Sequence, residues 1–283
     1  MIVDAQLHLW GADSAGRPWP PGTSALAHRA EPYGAEELLV AMDDAGVERA
    51  VLVPPSWEGD RNDLALGAAR RYPDRFSVMG RLSLADPPAA LAWLAEQSAD
   101  RGPAGRSGLL GLRFTFHRPP LSDQLKAGRL DWLWPALARA GLPVALYPPG
   151  GLRALGAVAE RHPDLRLAVD HLALPVNVTG PAAFAELDDL LALADLPNVA
   201  VKATCLPAAS ARPYPFADLT AAVHRVFDAF GPDRMFWGSD LTRLPCTYRE
   251  CVEHFTHSLP FLTGRDRERV MGGALLDWAG WPA

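Results

Sequence analysis

The chain has 283 residues, 49% of them hydrophobic, which is enough to fill one sizeable core. A formal charge of −6 offers no basic field for nucleic acid and no polybasic signal for a membrane, so a small-molecule partner is expected. No apolar run reaches bilayer length, and the opening Met1-Ile2-Val3-Asp4 has no basic leader. Three cysteines without CxxC spacing (Cys205, Cys246, Cys251) suit a reducing compartment, so a cytoplasmic protein is expected.

In chain order, short apolar or β-branched runs predict strands at Ile2–Leu9, Arg49–Val53, Phe76–Leu84, Leu109–Phe116, Pro143–Tyr147, Leu165–Leu172, Val199–Cys205 and Met235–Asp240. Amphipathic stretches between them predict helices at Ala35–Ala45, Arg61–Arg71, Pro88–Gln97, Trp132–Ala140, Arg153–Arg161, Pro181–Leu193 and Ala217–Phe230. Gly46, Gly141 and Gly231 stand where helices stop, and Asp86-Pro87-Pro88 opens one. The tail, Tyr248–Leu259 and Asp266–Trp278, reads as one or two closing helices, with Leu275, Trp278 and Trp281 as core or seam residues. Strands alternating with helices imply a parallel α/β sheet, and eight of them imply a single (β/α)₈ barrel occupying residues 1–283. No linker divides the chain, and Gly11–Gly34 reads as a long loop after the first strand.

Barrels of this kind work at the C-terminal ends of their strands, so polar residues there are the candidates. Period-two alternation places Asp4, Gln6 and His8 on one face of the first strand, pointing inward. Later strands contribute Arg113, Tyr147, Asp170-His171, Lys202 and Asp240. Barrel cores are mostly branched aliphatics, and so many converging polar groups point to a site. His171 follows an apolar run directly after Asp170, and Asp240 would be a buried carboxylate, a costly placement without a purpose. Asp4 reads equally as a strand anchor, and Lys202 equally as a counter-ion to Asp240. His28, His117, His162, His224 and His257 read as surface or packing residues, and the cysteines as inert.

Val3-Asp4-Ala5-Gln6-Leu7-His8-Leu9-Trp10, Gly111-Leu112-Arg113, Val169-Asp170-His171 and Trp237-Gly238-Ser239-Asp240 together resemble the amidohydrolase-related family often called family two. That family includes sugar lactonases, pyrone-dicarboxylate lactonase and aminocarboxymuconate-type decarboxylases. The resemblance runs from the first strand to the last. Its metal-bearing members have His-x-His on strand one, a His on strand five and the Asp of strand eight. Here Gln6 replaces the first His and Tyr147 stands where the strand-five His is expected, leaving His8 and Asp240. A neutral amide is a poor zinc ligand, so no tightly held metal is expected. The resemblance to the pyrone-dicarboxylate branch then implies that Asp240 activates water while His8 and His171 stabilise the oxyanion. Arg113, Arg243 and Lys202 would hold a substrate carboxylate, and Tyr147 would donate a hydrogen bond. Gln6 joins this substrate-binding set. Trp57 is a further candidate wall, with Tyr33 and Trp19, against the competing reading of core packing.

The leading expectation is a hydrolase that opens a small, carboxylate-bearing cyclic ester without a tightly bound metal. Two rivals stay open. One is a metal-dependent hydrolase or decarboxylase holding Zn or Mn weakly through His8, His171 and Asp240. The other is a non-catalytic binder of an acidic metabolite. A homodimer is compatible with the sequence, although no patch marks one.

Overall fold

A computed structural model describes residues 1–27, 29–99 and 108–282. Eight strands form one parallel sheet in chain order: β1 (Val3–Leu7), β2 (Arg49–Leu52), β3 (Phe76–Gly80), β4 (Leu109–Thr115), β5 (Val144–Tyr147), β6 (Leu167–Val169), β7 (Val199–Thr204) and β8 (Met235–Gly238). The sheet curls until β8 returns to β1, where the Asp240 N–H donates to the Gln6 carbonyl at 2.9 Å. The fold is therefore a single (β/α)₈ barrel. Crossovers are made by α1 (Ala35–Ala45), α2 (Asp63–Arg71), α3 (Pro87–Ala99), α4 (Leu121–Lys126) with α5 (Leu133–Ala140), α6 (Leu152–Arg161), α7 (Leu187–Leu191) and α8 (Thr220–Phe230).

Both faces of the strands are buried, which is why they read as continuous apolar runs rather than alternating ones. Ala5, Val51, Met79, Ala145, Ala168, Ala200 and Phe236 fill the barrel from within. Leu275 and Trp281, from the last helix region, join that inner cluster and so serve the core, as the sequence suggested. Gly46, Gly141 and Gly231 end α1, α5 and α8 with φ of 75°, 63° and 69°, conformations that cost glycine little. Thr247 and Glu250 form a reciprocal capping box that starts α9 (Tyr248–His257). Gly111 is obligatory in the sheet, since a Cβ there would lie 2.1 Å from the Pro143 carbonyl oxygen.

Two sequence expectations need correction. The stretch Pro181–Leu193 is not one helix; it breaks into 3₁₀ turns around the short α7. More important for function, β1 does not alternate evenly. Asp4 pairs with Ala50 and Leu7 with Leu52, so three steps on β1 oppose two on β2, leaving one extra residue. Val3 and Ala5 point into the barrel, whereas Asp4 faces its flank and accepts from the Ser239 N–H, the Gln6 N–H and the Tyr248 hydroxyl. Past the extra residue, Gln6 and His8 turn inward. Asp4 thus staples β1 to β8 from outside and does not share their face. Burial pushes its carboxyl up to about 6, against the hydrogen bonds that favour its charged form.

Candidate active site

A cavity of about 370 Å³ opens at the C-terminal end of the barrel, lined among others by His8, Trp57, Arg113, Tyr147, His171 and Asp240. Three neighbouring strands end there on non-glycine residues in the left-handed region: His171 (φ 54°), Cys205 (φ 58°) and Asp240 (φ 58°). Leu172 and Ala173 extend the first of these corners, with φ of 51° and 57°. Each such residue costs roughly 1–3 kcal/mol and persists only where its surroundings over-determine it. Here the corner turns the side chain of each strand-end residue toward the cavity.

His8 and Asp240 form the central pair, with Nε2 of His8 at 2.7 Å from Oδ1 of Asp240. Nδ1 of His8 lies 2.6 Å from the Val53 carbonyl oxygen. A carbonyl only accepts, so Nδ1 carries a proton. The 2.7 Å contact sets the other ring nitrogen, Nε2, directly against the Asp240 carboxylate. Both ring nitrogens are therefore committed within the protein. His8 orients Asp240 and has no N–H left for an oxyanion, contrary to the role expected for it.

His171 is arranged differently. Its Nδ1 lies 2.7 Å from the Thr204 hydroxyl, which also accepts the His171 backbone N–H at 3.3 Å. Burial pushes its imidazole down to about 4, so the ring is neutral at pH 7. The ring packs edge-on against Tyr147, centroids 5.2 Å apart. The Tyr147 hydroxyl donates to the Leu174 carbonyl at 2.5 Å, and burial pushes it up to about 12. Its single proton is thus spent within the protein, so Tyr147 shapes the wall and does not donate to a ligand as expected.

From the cavity wall at Arg113 downward runs a buried charge network. Asp170 receives Nε of Arg113 at 2.9 Å and Nζ of Lys202 at 2.9 Å, and Lys202 also donates to Oε1 of Gln6. Burial alone would raise the Asp170 carboxyl; Lys202 and Arg113 outweigh it and hold it down at about 2. Gln6 and Lys202 sit beneath the lining residues rather than among them, so neither is placed to grip a substrate. Lys202 is ion-paired with Asp170, and the Asp240 charge also acts on it.

The loops supply residues that sequence reasoning passed over. His117, expected on the surface or in packing, lines the cavity with Arg118, two and three residues beyond the end of β4. Its ring lies 5.6 Å from that of Tyr147, and burial with Arg118 nearby pushes it down to about 4. Arg243, after β8, lines the same cavity, and its charge also reaches His117. Among the described residues, neither Arg118 nor Arg243 has an ion pair, so two unneutralised guanidinium groups face the cavity. Trp57 lines it and stands 6.2 Å from His8, while Tyr33 and Trp19 pack in the core around Trp10 and Trp57. His28 lies outside the described residues. Cys205 also lines the cavity, with its thiol pushed up by burial and by the adjacent Asp240 carboxylate.

The model of a family described as Amidohydrolase matches residues 3–278, nearly the whole chain. The chain belongs to the amidohydrolase family. It is 31% identical over 252 residues to an L-fucono-1,5-lactonase of Burkholderia ambifaria, covering 84% of this chain and 79% of that protein. A zinc-bound amidohydrolase of Burkholderia multivorans shares the fold, with a TM-score of 0.76 at 22% identity over the full length of both chains. A probable 2-pyrone-4,6-dicarboxylic acid hydrolase of Acinetobacter baumannii, crystallised with citric acid, gives 0.73 at 17% identity over 99% of both. The chain is accordingly a hydrolase of the amidohydrolase superfamily. Within that family frame, Gln6 and Tyr147 are the positions of interest. Each carries internal hydrogen bonds, to Lys202 and to Leu174, in place of open donor atoms. Among the described residues, no group of three His, Cys, Asp or Glu converges as a metal-binding set.

Proposed function

We propose that this amidohydrolase opens a small cyclic ester bearing a carboxylate, with Asp240 as general base and no resident metal. The observation that carries the reading is the Asp240 carboxylate, fixed by His8 at 2.7 Å in a cavity whose loops present Arg118 and Arg243. The donor set supports the metal-free part. A divalent ion at the strand-one position would face the Lys202 ammonium, and Gln6 offers it only an amide already bonded to that ammonium. The residues therefore do not fit a zinc or manganese centre, and no step below passes through one.

In this mechanism a water molecule attacks the ester carbonyl carbon while its proton passes to the Asp240 carboxylate. The oxygen charge that develops on the tetrahedral centre is met by the neutral His171 ring, which lines the cavity. As the centre collapses, the ring C–O bond breaks and the departing alkoxide takes the proton back from Asp240. The net reaction adds one water and leaves a hydroxy acid. His8 holds the Asp240 carboxylate in position throughout. Arg118 and Arg243 orient the substrate carboxylate, and a guanidinium suits it because its parallel N–H groups match two oxygens. The similarity to an L-fucono-1,5-lactonase supports the reaction class.

The test is a panel of five- and six-membered lactones, with and without carboxylate, given to chelator-stripped and untreated protein while proton release is followed. Carboxylate-bearing lactones should be opened at equal rates by both preparations. Loss of turnover on stripping, restored by Zn²⁺ or Mn²⁺, would overturn the metal-free mechanism. A preference for uncharged sugar lactones would overturn the assignment of Arg118 and Arg243, and failure to open any lactone would overturn the reaction class.

A further inference from the structure

Thr204 is completely buried at the wall of the cavity, and its hydroxyl has two hydrogen-bond partners among the described residues, both on His171. The backbone N–H of His171 can only donate to it, at 3.3 Å. The remaining neighbour is Nδ1, at 2.7 Å. If Nδ1 carried the ring proton, the hydroxyl would accept twice and its own hydrogen would be stranded in the interior. A buried polar hydrogen without an acceptor is strongly disfavoured. If the hydroxyl instead donates to Nδ1, every polar group in the cluster is satisfied and the ring proton must sit on Nε2.

We infer that Thr204 is a positioning residue that locks His171 in its Nε2–H tautomer and so aims a neutral donor into the cavity. Nε2 has no partner within the protein among the described residues, and His171 lines the cavity. The surroundings of the ring fit one orientation. The left-handed corner at residues 171–173 sets its direction, the Asp170 carboxylate before it is anchored by Arg113 and Lys202, and the Leu174 carbonyl after it is held by Tyr147. With the segment pinned on both sides, Thr204 chooses which nitrogen faces the ligand. The catalytic use of that donor rests on the lactone-opening reading above; the tautomer itself does not.

The test is a long-range ¹H–¹⁵N correlation of ring nitrogens in histidine-labelled, ligand-free protein at neutral pH, with His171→Gln used to assign the signal. Wild type should show His171 as a single Nε2–H tautomer. Thr204→Ser, which keeps the hydroxyl, should retain it, and Thr204→Val should shift the ring to Nδ1–H or to a mixture. On a lactone turned over by the wild type, Thr204→Val should lower kcat on the order of 10²-fold with KM nearly unchanged, and Thr204→Ser should restore most of it. An Nδ1–H ring in the wild type overturns the inference without any variant, and so does an unchanged spectrum in a folded Thr204→Val protein. Because the spectra need no substrate, absent lactonase activity would refute the reaction and leave the tautomer result standing.

Discussion

Replacing Asp170 by Asn should be among the most destabilising single changes in the protein. Asp170 is completely buried between two cations, each 2.9 Å away. At that distance and an effective dielectric near 20, each attraction is worth roughly 6 kcal/mol before desolvation is subtracted. Removing one partner of such a buried set leaves uncompensated charge, and the net cost is about 3–5 kcal/mol. Lys202→Met removes one stranded ammonium, so the double variant should recover part of that loss, with a coupling of at least about 2 kcal/mol. Urea unfolding at pH 7 on the wild type, both single variants and the double variant would measure it, with midpoint and slope reported separately. The pH dependence adds a check on sign. The Asp170 carboxyl is held at about 2 against an ordinary 3.8, so its stabilisation is complete above pH 4 and is lost as pH falls through 2. The shift corresponds to about 2 kcal/mol, and the gap between wild type and Asp170→Asn should narrow by that much across the window. A cost below about 1 kcal/mol, or strict additivity with Lys202→Met, would refute the idea that these charges depend on one another.

Three further outcomes follow from the same geometry. Asp240→Asn should lower lactone turnover by roughly 10²–10⁴-fold with a stability change within about 1 kcal/mol; retained activity in steady-state assays would remove it as the base. Arg118→Gln and Arg243→Gln should each raise KM for carboxylate-bearing lactones and leave KM for uncharged ones unchanged, which parallel kinetics on a matched pair would reveal. His254, buried with Nδ1 at 3.0 Å from the Pro215 carbonyl, is pushed down by burial to about 4. Its folded form resists protonation, so stability present above pH 6.5 is lost as pH falls through 4. His254→Gln should reduce that loss by up to about 3 kcal/mol in thermal or urea unfolding. An acid profile identical to the wild type would show that the ring is not buried in its neutral form.

The barrel was legible because a parallel sheet covered on both faces writes each strand as an apolar run, and helices punctuate the runs. Residues at strand ends were legible for the same reason: Asp240 and His171 interrupt apolar stretches where the fold opens. The extra residue in β1 was not legible. A bulge leaves no mark in an alternation count, and it sends Asp4 to the flank while Gln6 and His8 turn inward. Roles that depend on pairing were also hidden. Nothing in the sequence near Lys202 reveals that Asp170 is its ion-pair partner, or that Val53 takes one nitrogen of His8. His117 and Arg118 were passed over because they lie beyond the strand, on a loop whose path no periodicity specifies. Thr204 could have been found: it is two residues past the inward Lys202, and period two puts it on the same face.

The three left-handed corners have a consequence for how this enzyme could change. His171, Cys205 and Asp240 are aimed by the backbone of adjacent strands, whereas Arg118 rides on the loop after β4 and Arg243 on the turn after β8. On the mechanism proposed above, the bond-breaking apparatus and the apparatus for choosing a ligand are thus separable parts of the chain. A library that diversifies residues 117–118 and 242–245 while leaving the corners untouched would alter which molecules are admitted and keep the chemistry applied to them. Diversifying the corners would do the reverse, discarding the reaction while the doorway stayed the same.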